Sequence, residues 1–156
     1  MNLKPNERLI VAADFKAHKV PDVVKAVLEL GHEVGCHNPI IKVNSALRHN
    51  GYNLIEMLHD DGAQVFADLK LSDIKETLET DGTLLVDSKP EILTDMVSVG
   101  GEALRALKSA VHPNTKIIGV GVLTSISEEE CKVIYGRGIF EQQAIFLTLA
   151  LNSELD

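Results

Sequence analysis

The strongest constraint on the fold is an alternation. Short, nearly continuous apolar runs at residues 9–14, 40–44, 64–70, 92–99 and 116–123 are separated by longer stretches of mixed character. Runs of this length, rich in Val and Ile, read as strands covered on both faces. The stretches at residues 20–34, 52–60, 73–86, 102–110, 127–134 and 140–152 read as helices. Strands and helices in alternation predict an α/β protein with a parallel sheet, built from about five βα units. Turn chemistry agrees: Asp22 stands near a helix start, Gly35, Gly62 and Gly82 stand where helices should stop, and Ser127 followed by Glu130 matches a capping box.

No low-complexity tract, long linker or composition break divides the 156 residues, so residues 1–156 are expected to form a single domain. A closed (βα)8 barrel usually takes about 250 residues and seldom fewer than about 200. Five units therefore predict either an incomplete barrel or an open, doubly wound sheet. The second would favour a G-x-G-x-x-G turn after the first strand, and none follows residues 9–14. Composition and period alone leave both architectures open.

A formal charge of −8, with no cluster of five or six basic residues, argues against nucleic acid or an anionic membrane as the main partner. Any phosphate-bearing ligand must then be held by local groups. Cys36 and Cys131 sit in no C-x-x-C or other close ligand spacing, which fits reduced thiols. The N-terminal apolar run is interrupted by Asp14 and lacks the length and cleavage site of a signal peptide. No segment approaches the roughly 20 apolar residues of a membrane span. A soluble, cytoplasmic protein is expected.

The segment Val65-Phe66-Ala67-Asp68-Leu69-Lys70-Leu71-Ser72-Asp73-Ile74 puts two charges inside an otherwise apolar strand. Residues two apart on a strand share a face, so Asp68 and Lys70 should project together, with Phe66 in line. At the C-terminal end of a barrel strand that face opens onto the active site. Burying an unpaired charge is costly, and adjacent opposite charges are tolerable only as a pair or network. Asp14 and Lys42 occupy comparable strand ends, and neighbouring parallel strands would bring all four charges to one rim.

Taken alone, Asp14 is equally well explained as a cap or turn former, and Lys42 is better explained as a lysine snorkelling from an edge strand. The D-x-K-x-x-D cluster has no such explanation from packing. His32, Cys36 and His37 follow no metal-ligand spacing and read as a solvated loop. Glu128-Glu129-Glu130 reads as an acidic first helical turn, and Gly136-Arg137-Gly138 as a flexible turn.

Asp68-Leu69-Lys70-Leu71-Ser72-Asp73-Ile74, followed by Thr77, resembles the D-x-K-x-x-D-I-x-x-T signature of the orotidine 5′-monophosphate decarboxylases. Leu9-Ile10-Val11-Ala12-Ala13-Asp14 is similar to that family's first strand, Lys42 falls in its second, and Gly121-Val122-Leu123-Thr124-Ser125 is similar to its V-L-T-S stretch. The resemblance runs over essentially the whole chain. It implies a (βα)-barrel of TIM type, here incomplete, that converts orotidine 5′-phosphate to uridine 5′-phosphate and carbon dioxide in pyrimidine nucleotide biosynthesis. No metal or organic cofactor is implied.

By that resemblance, Lys42, Asp68, Lys70 and Asp73 are expected to be catalytic, an alternating charge array around the reacting carbon. Asp73 would be donated across a homodimer interface. Asp68 would crowd the substrate carboxylate, and Lys70 would offer a cation and then a proton. Asp14 and Lys42 would hold ribose hydroxyls, Ile74 and Thr77 would line the partner's side of the pocket, and Ser125 would approach the pyrimidine edge.

Two departures stand out. The family often carries a His-Ala-Ser-Gly-Gly-like turn after strand four, where this chain has Val97-Ser98-Val99-Gly100-Gly101 and no histidine. The family's phosphate grip lies on the last barrel loops, whereas this sequence ends at Asp156, about where a sixth strand is expected. Two other functions fit the pattern. One is a 3-keto-L-gulonate 6-phosphate decarboxylase, which shares the fold and D-x-K-x-x-D but uses magnesium. The other is a barrel fragment that binds ligand or assembles without turnover. Ile74 and Thr77 favour the orotidylate chemistry.

Overall fold

The computed structural model describes residues 9–14, 25, 28–29, 32–33 and 38–156. Five strands, β1 (Ile10–Ala12), β2 (Ile40–Val43), β3 (Gln64–Leu71), β4 (Ile92–Met96) and β5 (Lys116–Val120), form one parallel sheet in the order β1-β2-β3-β4-β5. Each strand lies beside its successor in sequence. A doubly wound sheet has a point at which strand order reverses. This sheet has none, so its order is that of a barrel wall.

Helices α1 (Ser45–Asn50) and α2 (Asn53–Asp60) follow β2, α3 (Lys75–Leu85) follows β3, and α4 (Gly101–Ala110) follows β4. After β5 come α5 (Glu128–Tyr135) and α6 (Ile139–Asn152). Lys25, Leu28, Glu29, His32 and Glu33 are helical, as the reading of residues 20–34 expects, so His32 stands on a helix and not in the solvated loop read for it with Cys36 and His37. The rest of that stretch, with Asp22, Gly35, Cys36 and His37, lies outside the described residues.

The sheet has two unlike faces, and the register says which residues fall on each. Lys42 stands opposite Phe66, Phe66 opposite Ile92, and Thr94 opposite Ile118. Alternation then puts Ile41, Val65, Leu93 and Ile117 on the other face. These four are buried, packed with Leu54, Leu58, Leu78 and Leu107 of the helices. Covering a strand with helices is what requires its outward residues to be apolar. The Lys42 face is where charge is tolerated. A smaller cluster of Val97, Leu104, Val122, Cys131 and Phe146 seats α5 and α6.

Several expected boundaries move. The run at residues 92–99 leaves the sheet after Met96, and Val97–Val99 forms a 3-10 turn ending at Gly100, whose φ of 93° favours glycine. The run at residues 116–123 leaves it after Val120. The helix expected from Asp73 begins at Lys75, and α1 had no counterpart in the sequence reading. Gly82 ends no helix: it lies buried inside α3, where a Cβ would come 2.7 Å from the Ala110 Cβ. Its missing side chain lets α3 approach α4. The capping box is present, with the Glu130 amide donating to Ser127 Oγ at 3.2 Å and the Ser127 amide to Glu130 Oε2 at 2.8 Å. Gly136-Arg137-Gly138 joins α5 to α6.

Candidate active site

The C-terminal ends of β1, β2 and β3 bring four charges into one line. Lys70 Nζ donates to both Asp68 carboxylate oxygens at 2.7 Å. Lys42 Nζ lies 3.6 Å from Asp68 Oδ2 and 3.5 Å from Asp14 Oδ2. The order Asp14, Lys42, Asp68, Lys70 therefore alternates in sign, as the sequence expects for one rim.

Asp68 is only 6% exposed. Burial pushes its carboxyl up, but hydrogen bonds from Lys70 and Thr94 and the charges of Lys70 and Lys42 outweigh it and hold the carboxyl below its ordinary range. A carboxylate between two ammonium groups is thus kept ionised out of water. Chemically, the array presents a fixed negative charge and an adjacent proton-bearing cation to whatever lies over the rim.

Asp73, Ile74, Thr77 and Ser125 are not drawn into this array. Asp73 is exposed, and its Oδ1 accepts the Ile74 amide at 2.7 Å. Ile74 is exposed, Thr77 lies half-buried on α3, and Ser125 is exposed in the turn after β5. Among the described residues, none of the four makes a hydrogen bond or ion pair with Asp14, Lys42, Asp68 or Lys70.

Two residues that sequence reasoning missed touch the array. Thr94 on β4, nearly fully buried, donates its hydroxyl to Asp68 Oδ1 at 3.0 Å and accepts the Lys70 amide at 2.9 Å. Arg48 on α1 donates from Nη2 to the Leu69 carbonyl at 2.6 Å. The signal for Thr94 was available: a polar residue interrupting an apolar strand, as Asp68 does. Arg48 left no such signal, because it acts on backbone.

Among the described residues, no helix is long and apolar enough to cross a membrane. No group of three or more His, Cys, Asp or Glu side chains among them is placed to hold a metal ion.

The sequence model of the orotidine 5′-phosphate decarboxylase / HUMPS family matches residues 7–148. The chain belongs to that family. Among its relatives is the orotidine 5′-phosphate decarboxylase of Methylacidiphilum infernorum, 35% identical over 149 residues, covering 94% of this chain and 60% of the relative. The enzyme of that name from Moorella thermoacetica is 30% identical, covering 100% of this chain and 64% of its own length. The chain thus spans about 60% of the length of the curated relatives it matches.

Solved structures agree on the fold. An uncharacterized conserved protein from Geobacillus kaustophilus superposes with a TM-score of 0.80 at 24% identity, covering 95% of this chain and 71% of its own. Orotidine 5′-phosphate decarboxylase from Lactobacillus acidophilus gives 0.72 at 22% identity, covering 95% and 68%. Within the decarboxylase / HUMPS family, this chain is α/β, with five parallel strands alternating with helices that match part of the TIM-type barrel. In a TIM-type barrel the C-terminal rim of the strands is where sites are built, and Asp14, Lys42, Asp68 and Lys70 gather at that rim here.

Proposed function

We propose that this chain carries the decarboxylating side of an orotidine 5′-phosphate decarboxylase site. The observation that supports this most is the ionised Asp68 held 2.7 Å from Lys70 at the strand ends. A substrate carboxylate placed over the rim meets Asp68 at like charge, which disfavours the bound ground state. When the bond to the carboxyl carbon breaks, carbon dioxide leaves and the electron pair stays on the pyrimidine carbon. The Lys70 ammonium stabilises that charge and gives it a proton. Solvent then reprotonates the neutral amine.

Lys42 orients Asp68 and, with Asp14, holds ribose hydroxyls in this reading. Asp73, exposed and outside the array, serves the second subunit of a homodimer, with Ile74 and Thr77 lining that side and Ser125 at the pyrimidine edge. The chemistry belongs to pyrimidine nucleotide synthesis in the cytoplasm, where the free thiol of Cys131 fits. Phosphate sites of TIM-type barrels are built by the loops after strands seven and eight. We therefore expect the polypeptide of residues 1–156 to bind substrate weakly and turn over well below a complete barrel.

The purified chain, at high concentration and in excess EDTA, is expected to convert orotidine 5′-phosphate slowly to uridine 5′-phosphate and carbon dioxide. Absence of that conversion would refute the proposal. So would a preference for 3-keto-L-gulonate 6-phosphate that appears only when magnesium is added.

A further inference from the structure

Strand geometry alone would not hold Lys70 where it stands. Its φ of 48° is left-handed, a conformation that non-glycine residues seldom adopt and that persists only where the surroundings over-determine it. The β3–β4 pairing shifts register between Ala67 and Leu71, so the ladder is interrupted just there. Something else must fix the peptide that joins Leu69 to Lys70.

Both ends of that one peptide are held by side chains. Its carbonyl accepts from Arg48 Nη2 at 2.6 Å, and its amide donates to Thr94 Oγ at 2.9 Å. The Thr94 hydroxyl has a single proton, which it gives to Asp68 Oδ1 at 3.0 Å. The chain of donors therefore runs one way, from the Lys70 amide through Thr94 to the Asp68 carboxylate. Thr94 is 3% exposed, so water has little access to replace its hydroxyl. The same oxygen that sets the Lys70 backbone also sets the Asp68 side chain.

We infer that Thr94 and Arg48 are positioning residues that clamp the Leu69–Lys70 peptide and so hold the Lys70 ammonium against the Asp68 carboxylate. The inference rests on the proposed roles of Asp68 and Lys70. Its test needs no turnover. Thr94→Val keeps the volume and removes the hydroxyl, Thr94→Ser keeps the hydroxyl, and Arg48→Met keeps an apolar stem without the donor. Two signals are followed by NMR in the full chain: titration of the 13C-labelled Asp68 carboxyl, and deuterium exchange of the Lys70 amide, with the Leu93 amide as internal control.

In Thr94→Val, Lys70 is expected to exchange about tenfold faster or more, the loss of one ordinary hydrogen bond, and the Asp68 midpoint to move up. Leu93 exchange stays unchanged, and Thr94→Ser restores both signals. Arg48→Met speeds Lys70 exchange. Wild-type exchange and titration in Thr94→Val would overturn the inference, as would failure of Thr94→Ser to restore them. If Thr94→Val does not fold, unchanged Lys70 exchange in Arg48→Met overturns it instead. A chain that shows these changes but never decarboxylates orotidylate loses the proposed function and keeps the clamp.

Discussion

Two buried carboxylates, Asp68 on β3 and Asp95 on β4, meet opposite fates. Asp68 has two lysines and a threonine around it and is held ionised. Asp95, on the helix-packed face, is 0% exposed, and neither of its carboxyl oxygens has a hydrogen-bond partner among the described residues. Burial pushes its carboxyl up to about 7, and the charge of Asp81 adds to the rise. A folded-state value raised above the ordinary one means the folded chain prefers the neutral acid. That preference stabilises fully below the unfolded value near 4 and is lost as pH rises through about 7. Asp95→Asn should therefore gain on the order of 3 kcal/mol over wild type at pH 8 and little at pH 4, measured by urea unfolding at each pH. Equal stability of the two proteins at pH 8 would contradict the assignment.

The residues legible in the sequence were those whose charge broke an apolar run. Asp14, Lys42, Asp68 and Lys70 were found that way, and the structure joins them. Thr94 and Asp95 break the fourth run just as visibly, but a run read as nearly continuous hides them. The role of Thr94 depends on the Lys70 backbone turning left-handed, which no pattern of side chains announces.

Among the elements, apolarity located the strands and overran their ends. Val97, Val99, Val122 and Leu123 are as apolar as the strands they follow, because Val97 and Val122 are buried in the smaller cluster while Val99 and Leu123 are half-buried beside them in sequence. Apolar pattern reports burial, while a strand end is set by where ladder hydrogen bonds stop. The six residues of α1 are too few to show a helical period. At Gly82 two effects compete. Alanine gains roughly 0.5–1 kcal/mol over glycine in a helix interior, but overpacking costs typically about 1–3 kcal/mol. With Ala110 Cβ and the Ala110 carbonyl carbon 2.7 and 3.3 Å from the new methyl, overpacking should win. Gly82→Ala is expected to lower stability by about 1 kcal/mol in urea unfolding, and a stabilised variant would show that α3 and α4 are not this close.

At the scale of the whole molecule, β1 is an open edge among the described residues, the outer edge of β5 is met at Ile117 by Asp156, whose amide donates to the Ile117 carbonyl at 3.1 Å and whose Oδ2 accepts the Ile117 amide at 2.9 Å, and α6 exposes Phe140, Leu147 and Leu151 at 90%, 62% and 65%. Open parallel edges and bare apolar faces favour association. In the proposed homodimer each site takes Lys70 from one subunit and Asp73 from the other. Mixing Lys70→Ala with Asp73→Ala should then restore roughly a quarter of wild-type activity, since about half of random dimers are mixed and each holds one intact site. No recovery in verified mixed dimers would exclude sharing.

The proposed function assigns the decarboxylation to the Asp68–Lys70 array. Its most direct test is single-turnover release of carbon dioxide from carboxyl-labelled orotidine 5′-phosphate, with enzyme in excess, for wild type and Lys70→Ala of equal thermal stability. Wild type should release label slowly, and Lys70→Ala more slowly by a factor on the order of 10²–10⁴, the usual loss of a positioned general acid. Equal rates in the two proteins would contradict the account.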